Sequence, residues 1–174
     1  SCVVYDDGST DGTKEQVQNQ FPMVTVLRNE VSKGYLFCRN KMLSQTTADY
    51  AISLDDDAHF LSENPLEAIA SAFENTPTCG VLAFRIFWGI VPPASHETPA
   101  VFEPVRGFVG CGHAWRMTAW HAIPNYPEWF SFYGEEEFAS YQLLQNQYQI
   151  YYLPAVLVHH RVDVKQRRLQ LDYQ

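Results

Sequence analysis

Tyr50-Ala51-Ile52-Ser53-Leu54 runs without a break into Asp55-Asp56-Asp57, and the segment continues through Ala58, His59 and Phe60. The first five residues read as a buried strand, apolar and bounded by a polar run. Three adjacent carboxylates at its end repel one another, and a cation or a donor-rich ligand is the usual way to offset that repulsion. In open α/β sheets, ligands sit at the carboxyl ends of strands. The triplet therefore points to a metal-assisted site for an anionic ligand. The plainer alternative is a solvated acidic turn.

Working outward, Cys2-Val3-Val4-Tyr5 is a second short apolar run that stops at Asp6-Asp7-Gly8, and Val24-Thr25-Val26-Leu27 is a third. Helical patterns are expected over residues 13–21, 35–46 and 135–147. A further helix is expected from Asn64, with Asn64 as cap, Pro65 at the first helical position and Glu67 completing a capping box. Strands are expected over residues 81–88 and 150–159, with a Gly-rich strand and turn from Gly107 to Trp115 and a loop or hairpin over 89–104. The alternation predicts one α/β domain, residues 1–174, with a mostly parallel central sheet. The basic stretch Lys165-Gln166-Arg167-Arg168 reads as a frayed end.

The chain has 174 residues, 46% of them hydrophobic, which is enough for a sizeable core. A formal net charge of −8 argues against a nucleic-acid partner, because no broad basic face is available for phosphates. No apolar run is long enough for a membrane span, and no leader is evident. Cys2, Cys38, Cys79 and Cys111 show no CxxC spacing, so a reducing, cytoplasmic setting is expected. Cys111, between two glycines, reads as a small buried thiol in preference to a nucleophile.

The loop Asp6-Asp7-Gly8-Ser9-Thr10-Asp11-Gly12-Thr13 partly matches a calcium-binding EF-hand. The match fails because Gln18 stands where a bidentate Glu is needed and a strand precedes the loop. The better reading is a strand-end loop whose carboxylates accept hydrogen bonds from a ligand, with Ser9 or Asp11 capping the next helix.

Together these segments resemble the inverting family-two glycosyltransferases, which have the GT-A fold. Asp6 to Thr13 resembles their nucleotide-binding loop. Asn29, Gly34, Arg39 and Asn40 are similar to the segment that follows. Asp55-x-Asp57 looks like the D-x-D motif, Gly134-Glu135-Glu136-Glu137 the segment carrying the catalytic base, and His159-His160 the late metal-binding histidine. The five motifs occur in the family's order over almost the whole chain.

The resemblance implies a sugar transfer from a nucleoside diphosphate to a hydroxyl acceptor, whether saccharide, lipid-linked or protein. UDP is the favoured nucleotide, with dTDP and GDP open. Asp6 or Asp7 would meet the base, only one of them because adjacent strand-end residues face opposite ways. Ser9 belongs to the same loop, and Arg39 would approach the nucleotide or its phosphates. Asp55 would meet the ribose and, with Asp57, a Mn²⁺ or Mg²⁺ ion, with Asp56 also beside the donor and an imidazole from His159 or His160 on the ion. Glu136 aligns with the general base and Glu135 is the second choice. Gly112 and His113 fall where the family shapes the sugar pocket. Trp115, Trp120, Trp129 and Phe132 are candidates for ring stacking, with core packing expected for most of them.

The chain also departs from the family pattern. A Glu replaces the common Asp at the base, Phe138 stands where a second acid often follows, and Gln142 replaces a frequent Arg. The family's usual first strand, with its Pro-Thr-Tyr-Asn-like segment, has no counterpart, which implies either a portion of a longer protein or a sheet completed another way. The expected cytoplasmic setting extends to a position peripheral to a membrane in a full-length context. Two further readings are a binding module of the same fold without turnover and a sugar-nucleotide-forming nucleotidyltransferase. The latter lacks its expected Gly-rich opening loop. Adjacent histidines do not match a zinc-protease helix.

Overall fold

The structure is a computed structural model that describes residues 1–130 and 133–163. The expected frayed basic end and Phe132 lie outside the described residues. The described residues form two compact units, the first from Ser1–Thr47 and the segment from Asn125 to Glu135, the second from Ala48–Pro124 and the described residues from Glu136 to Asp163.

In the first unit, β1 (Cys2–Asp6) and β2 (Val24–Arg28) pair in parallel, from Cys2 opposite Val24 to Asp6 opposite Arg28. Helix α1 (Thr13–Gln20) connects them and buries no residue, because Val17 is its only apolar side chain. Gly12 is the N-cap of α1 and no side chain caps it, so neither Ser9 nor Asp11 takes the expected cap position; Asp11 Oδ1 instead accepts from Thr13 N at 3.1 Å and from Thr13 Oγ1 at 2.6 Å. Helix α2 (Tyr35–Gln45) buries Leu36, Asn40 and Leu43, which recur at helical spacing, together with Cys38.

The second unit holds a six-stranded sheet. Its strands are β3 (Tyr50–Leu54), β4 (Ala58–Phe60), β5 (Cys79–Trp88), β6 (Glu103–Val105), β7 (Gly112–Arg116) and β8 (Gln149–His160). The order is β3-β7-β5-β8-β4, with β6 also on β8. Only β5 and β8 are parallel; β7 runs antiparallel to both β3 and β5, and β4 and β6 run antiparallel to β8. The α/β class stands, but the sheet is mixed and not mostly parallel. The cause is local: β7 inserts between β3 and β5 without a crossover helix before it, and only a crossover makes neighbours parallel.

Helix α3 (Pro65–Asn75) packs Ile69 and Phe73 into a core of Cys79, Leu82, Phe84, Ala114, Leu153, Val156 and Val158. Asn64 does occupy the N-cap position, but its side chain makes no capping bond, which corrects the capping-box expectation. The far end of α3 is held by Arg116, which donates to Phe73 O at 2.7 Å, Thr76 O at 3.1 Å and Cys79 O at 2.7 Å. Sequence reading missed β4 and the five-residue helix α4 (Met117–His121), both too short to show a period. Helix α5 (Glu135–Gln145) precedes β8.

The pairing of β5 with β8 jumps from Phe84 opposite Leu153 to Arg85 opposite Leu157. Pro154, which has no N–H to give a ladder, falls inside this irregularity.

Candidate active site

Sheet register assembles the acidic turn. Leu54 at the end of β3 pairs with Gly112 at the start of β7, which sets Cys111 beside Asp55. The chain then turns, with Ala58 N donating to Asp55 O at 3.0 Å, and enters β4. There Ala58 pairs with His160, and Arg161 N donates to Asp57 O at 3.0 Å. The triplet is therefore flanked by β7 on one side and the end of β8 on the other.

His160 Nε2 lies 2.8 Å from Asp57 Oδ1 and 3.9 Å from Asp55 Oδ2. The imidazole is buried, whereas the Asp57 side chain is 41% exposed and the Asp55 side chain 32% exposed. His159 points away: its Nε2 is 2.7 Å from Gly89 O and its ring packs edge-on against His59. Of the two histidines, only His160 joins the carboxylates. Asp56, the middle residue, is exposed on the turn. Cys111 was read from sequence as a buried thiol, and it is buried. However, single ligand atoms of Asp55, Cys111 and His160 also lie within 4.8 Å of one another. That is the separation at which one cation can be shared, so a divalent ion fits these residues. The only sequence signal for Cys111 was its pair of flanking glycines.

The two leading glutamates belong to different units. Glu136 Oε1 accepts from Gly110 N at 2.9 Å, and Ser140 Oγ donates to Glu136 O at 2.6 Å. Beside it, Arg106, Gly107, Phe108, Glu137 and Tyr141 line a groove of about 250 Å³. Glu135 is 3% exposed. Its Oε1 accepts from Tyr35 Oη at 2.9 Å and lies 4.0 Å from Arg39 Nη1, while its Oε2 is buried without a hydrogen-bond partner among the described residues.

In the first unit, the two loop aspartates are engaged by the chain's own donors. Asp6 is buried; its Oδ1 accepts from Ser9 N at 2.8 Å, and its Oδ2 pairs with Arg28. The Ser9 hydrogen bonds hold Asp6 below the usual carboxylate range against the upward push of burial, and the Arg28 guanidinium adds to this. Asp7 accepts from Asn29 Nδ2 at 2.7 Å, Ser32 Oγ at 2.7 Å, Gly34 N at 2.8 Å and Lys33 N at 2.9 Å. Burial alone would raise Asp7, but these four donors outweigh it and hold the carboxyl well below its ordinary value. Asp7 thus ties the first loop to the turn before α2. Gly8 has φ +84°, and a Cβ there would lie 2.8 Å from Ser32 N. Asn40 clamps the segment after α4, donating to Tyr126 O at 2.9 Å and accepting from Tyr126 N at 3.0 Å.

Gly112 and His113 are buried in the second unit. The His113 ring lies against Phe108, its Nδ1 is 3.1 Å from Val109 O, and it presents no surface of its own. Trp115 and Trp120 pack edge-to-face in the core, whereas Trp129 is 81% exposed.

The profile of glycosyl transferase family 2 matches residues 1–138, and the chain belongs to that family. No curated protein matches it by sequence. Among solved structures it is similar to GalNAc-T7 with UDP, GalNAc and Mn²⁺ (TM-score 0.74, 16% identity, 94% of this chain and 38% of that one). It is also similar to Staphylococcus aureus TarS 1–349 in complex with UDP (TM-score 0.72, 19% identity, 92% and 51%). A third is the mannosyltransferase PcManGT from Pyrobaculum calidifontis in complex with GDP-Man and Mn²⁺ (TM-score 0.71, 17% identity, 97% and 49%). These likenesses establish the GT-A glycosyltransferase fold. The chain spans between 38% and 51% of the length of these three. Among the described residues, no helix is long and apolar enough to cross a membrane.

Proposed function

We propose that the chain carries the catalytic domain of a metal-dependent, inverting glycosyltransferase that takes a sugar from a nucleoside diphosphate, UDP by preference, to a hydroxyl acceptor. The observation that carries this reading is the convergence of Asp55 and Asp57 on the buried His160 imidazole, at 3.9 and 2.8 Å from one nitrogen. Solved structures of the same fold bind UDP or GDP-mannose together with Mn²⁺.

In this proposal Asp55, Asp57 and His160 hold Mn²⁺ or Mg²⁺. The ion, when bound, neutralises charge on the departing diphosphate. Asp56 stays at the exposed rim of the turn. The loop from Asp6 to Ser9 and Arg39 take the nucleotide. Glu136 accepts the acceptor hydroxyl's proton on its carboxylate as that oxygen attacks the anomeric carbon from the face opposite the diphosphate. The Gly110 N–H fixes the carboxylate's orientation for that task. Glu135, shut in beside Tyr35 and Arg39, is better suited to positioning than to proton transfer.

Calorimetric titration of UDP, with and without Mn²⁺, tests the reading. Binding that needs the ion and is lost in Asp57→Asn supports it. Metal-independent binding, or binding untouched by the substitution, removes the acidic turn from the donor site.

A further inference from the structure

The family reading gives the cation two carboxylates and an imidazole, and it has no place for sulfur. Yet Cys111 stands at the mouth of β7, opposite the end of β3, and its Sγ lies within 4.8 Å of ligand atoms of Asp55 and His160. Cys111 is 3% exposed and in no disulfide. Sheet register puts it there: Leu54 opposite Gly112 fixes the residue before Gly112 next to the residue after Leu54. On the other side, Ala58 opposite His160 fixes the imidazole. Three different ligand types are thus brought together by two strand pairings, His160 from the end of β8 and Asp55 and Cys111 from the residues that adjoin the Leu54–Gly112 pair.

We propose that Cys111 is a metal ligand, making the acidic turn a mixed oxygen, sulfur and nitrogen site that takes a thiophilic divalent ion such as Zn²⁺ in preference to Mg²⁺. This inference rests on the reading of the acidic turn as the cation site. Metal–sulfur and metal–nitrogen bonds of about 2.3 and 2.0 Å place neighbouring ligand atoms roughly 3.5 Å apart in a tetrahedral shell. The 3.9 Å between Asp55 Oδ2 and His160 Nε2 is already close to that. On binding the ion, His160 ligates as the neutral imidazole and the Cys111 thiol as thiolate, the protons released passing to solvent. Thiolate ligation selects for softer ions, whereas carboxylate and water suit Mg²⁺ and Mn²⁺. The pairing also gives the site a redox-sensitive member, since only the thiolate can be lost by oxidation.

Co²⁺ is the probe, because thiolate ligation adds a ligand-to-metal charge-transfer band in the near ultraviolet that oxygen and nitrogen ligands do not. Co²⁺ and Zn²⁺ are titrated into the protein and into Cys111→Ser and His160→Ala, with absorption and calorimetry as readouts. The expected result is the band in the unsubstituted protein, its loss in Cys111→Ser, and Zn²⁺ binding weakened on the order of 100-fold there while Mn²⁺ binding changes little. Co²⁺ that binds in a His160-dependent way without the band overturns the Cys111 ligand and leaves the acidic turn as a cation site. Binding of neither ion, or binding indifferent to His160→Ala, overturns the cation site itself. Because Cys111 is buried and its substitution can disturb packing, cadmium NMR of the unsubstituted protein reads sulfur ligation without any variant: a shift in the oxygen–nitrogen range overturns the proposal.

Discussion

The Asp57 carboxylate meets His160 Nε2 at 2.8 Å, joining the turn after β3 to the last residue of β8. Neither residue could be assigned to the other from sequence, because the contact depends on β4 pairing antiparallel with β8. Asp57→Asn keeps the shape and removes the charge. Its expected effect is a loss of about 10–100-fold in Mn²⁺ affinity, measured by calorimetry, with the melting temperature little changed. An unaltered affinity would place the cation elsewhere.

Glu136 is held by Gly110 N and lines an open groove. Glu136→Gln retains the hydrogen bond and removes the basic lone pair. Turnover of a UDP-sugar is expected to fall about 10²–10⁴-fold with UDP affinity preserved. Equal turnover in the two proteins transfers the base role to another residue.

Asp7 organises the first unit through its four donors, so Asp7→Asn, which cannot accept from all of them, is expected to destabilise the fold by roughly 2–3 kcal/mol in urea denaturation. The pH dependence has a definite sign. The folded-state pKa is depressed, so the unfolded chain binds more protons at low pH. The stabilisation is complete above the unfolded value of about 4 and is lost as pH falls from there through the folded value. The acid side of the stability profile should therefore be shallower in Asp7→Asn. An identical slope would show that Asp7 contributes nothing to acid sensitivity.

Gly8→Ala tests the same loop sterically. The new Cβ would fall 2.8 Å from a backbone nitrogen, at φ +84°, a region that costs a non-glycine residue about 1–2 kcal/mol before the clash is counted. A drop in melting temperature larger than that produced by Gly12→Ala, where the added Cβ meets nothing within 4 Å, is the expected outcome.

Periodicity located β1, β2, β3, α2, α3 and the long β8 because each is a sustained pattern. It did not reveal strand direction, since an antiparallel β7 and a parallel one look the same along the chain. The acidic turn was legible because three adjacent carboxylates at a strand end repel one another. The choice between His159 and His160 was not, because adjacent strand residues differ only in the face they present, and pairing decides that. Cys111 was passed over as a site residue because its proximity to Asp55 is created by register. Asp6 and Asp7 were legible as strand-end acids, but not as acceptors already engaged by Ser9, Arg28, Asn29 and Gly34.

The irregular pairing around Pro154 has a consequence for the end of β8. One step along β5, from Phe84 to Arg85, corresponds to four steps along β8, from Leu153 to Leu157, so the stretch between them sets the alternation of everything downstream. Faces alternate strictly along a strand, and a slip of one residue exchanges them. A slip in one direction would replace His160 with His159 and still deliver an imidazole to the acidic turn. A slip in the other would deliver Arg161, whose fixed positive charge repels a cation. The doubled histidine thus makes the site error-tolerant in one sense of reading and intolerant in the other, and a one-residue deletion or insertion among Pro154, Ala155 and Val156 would act as a switch between those two outcomes.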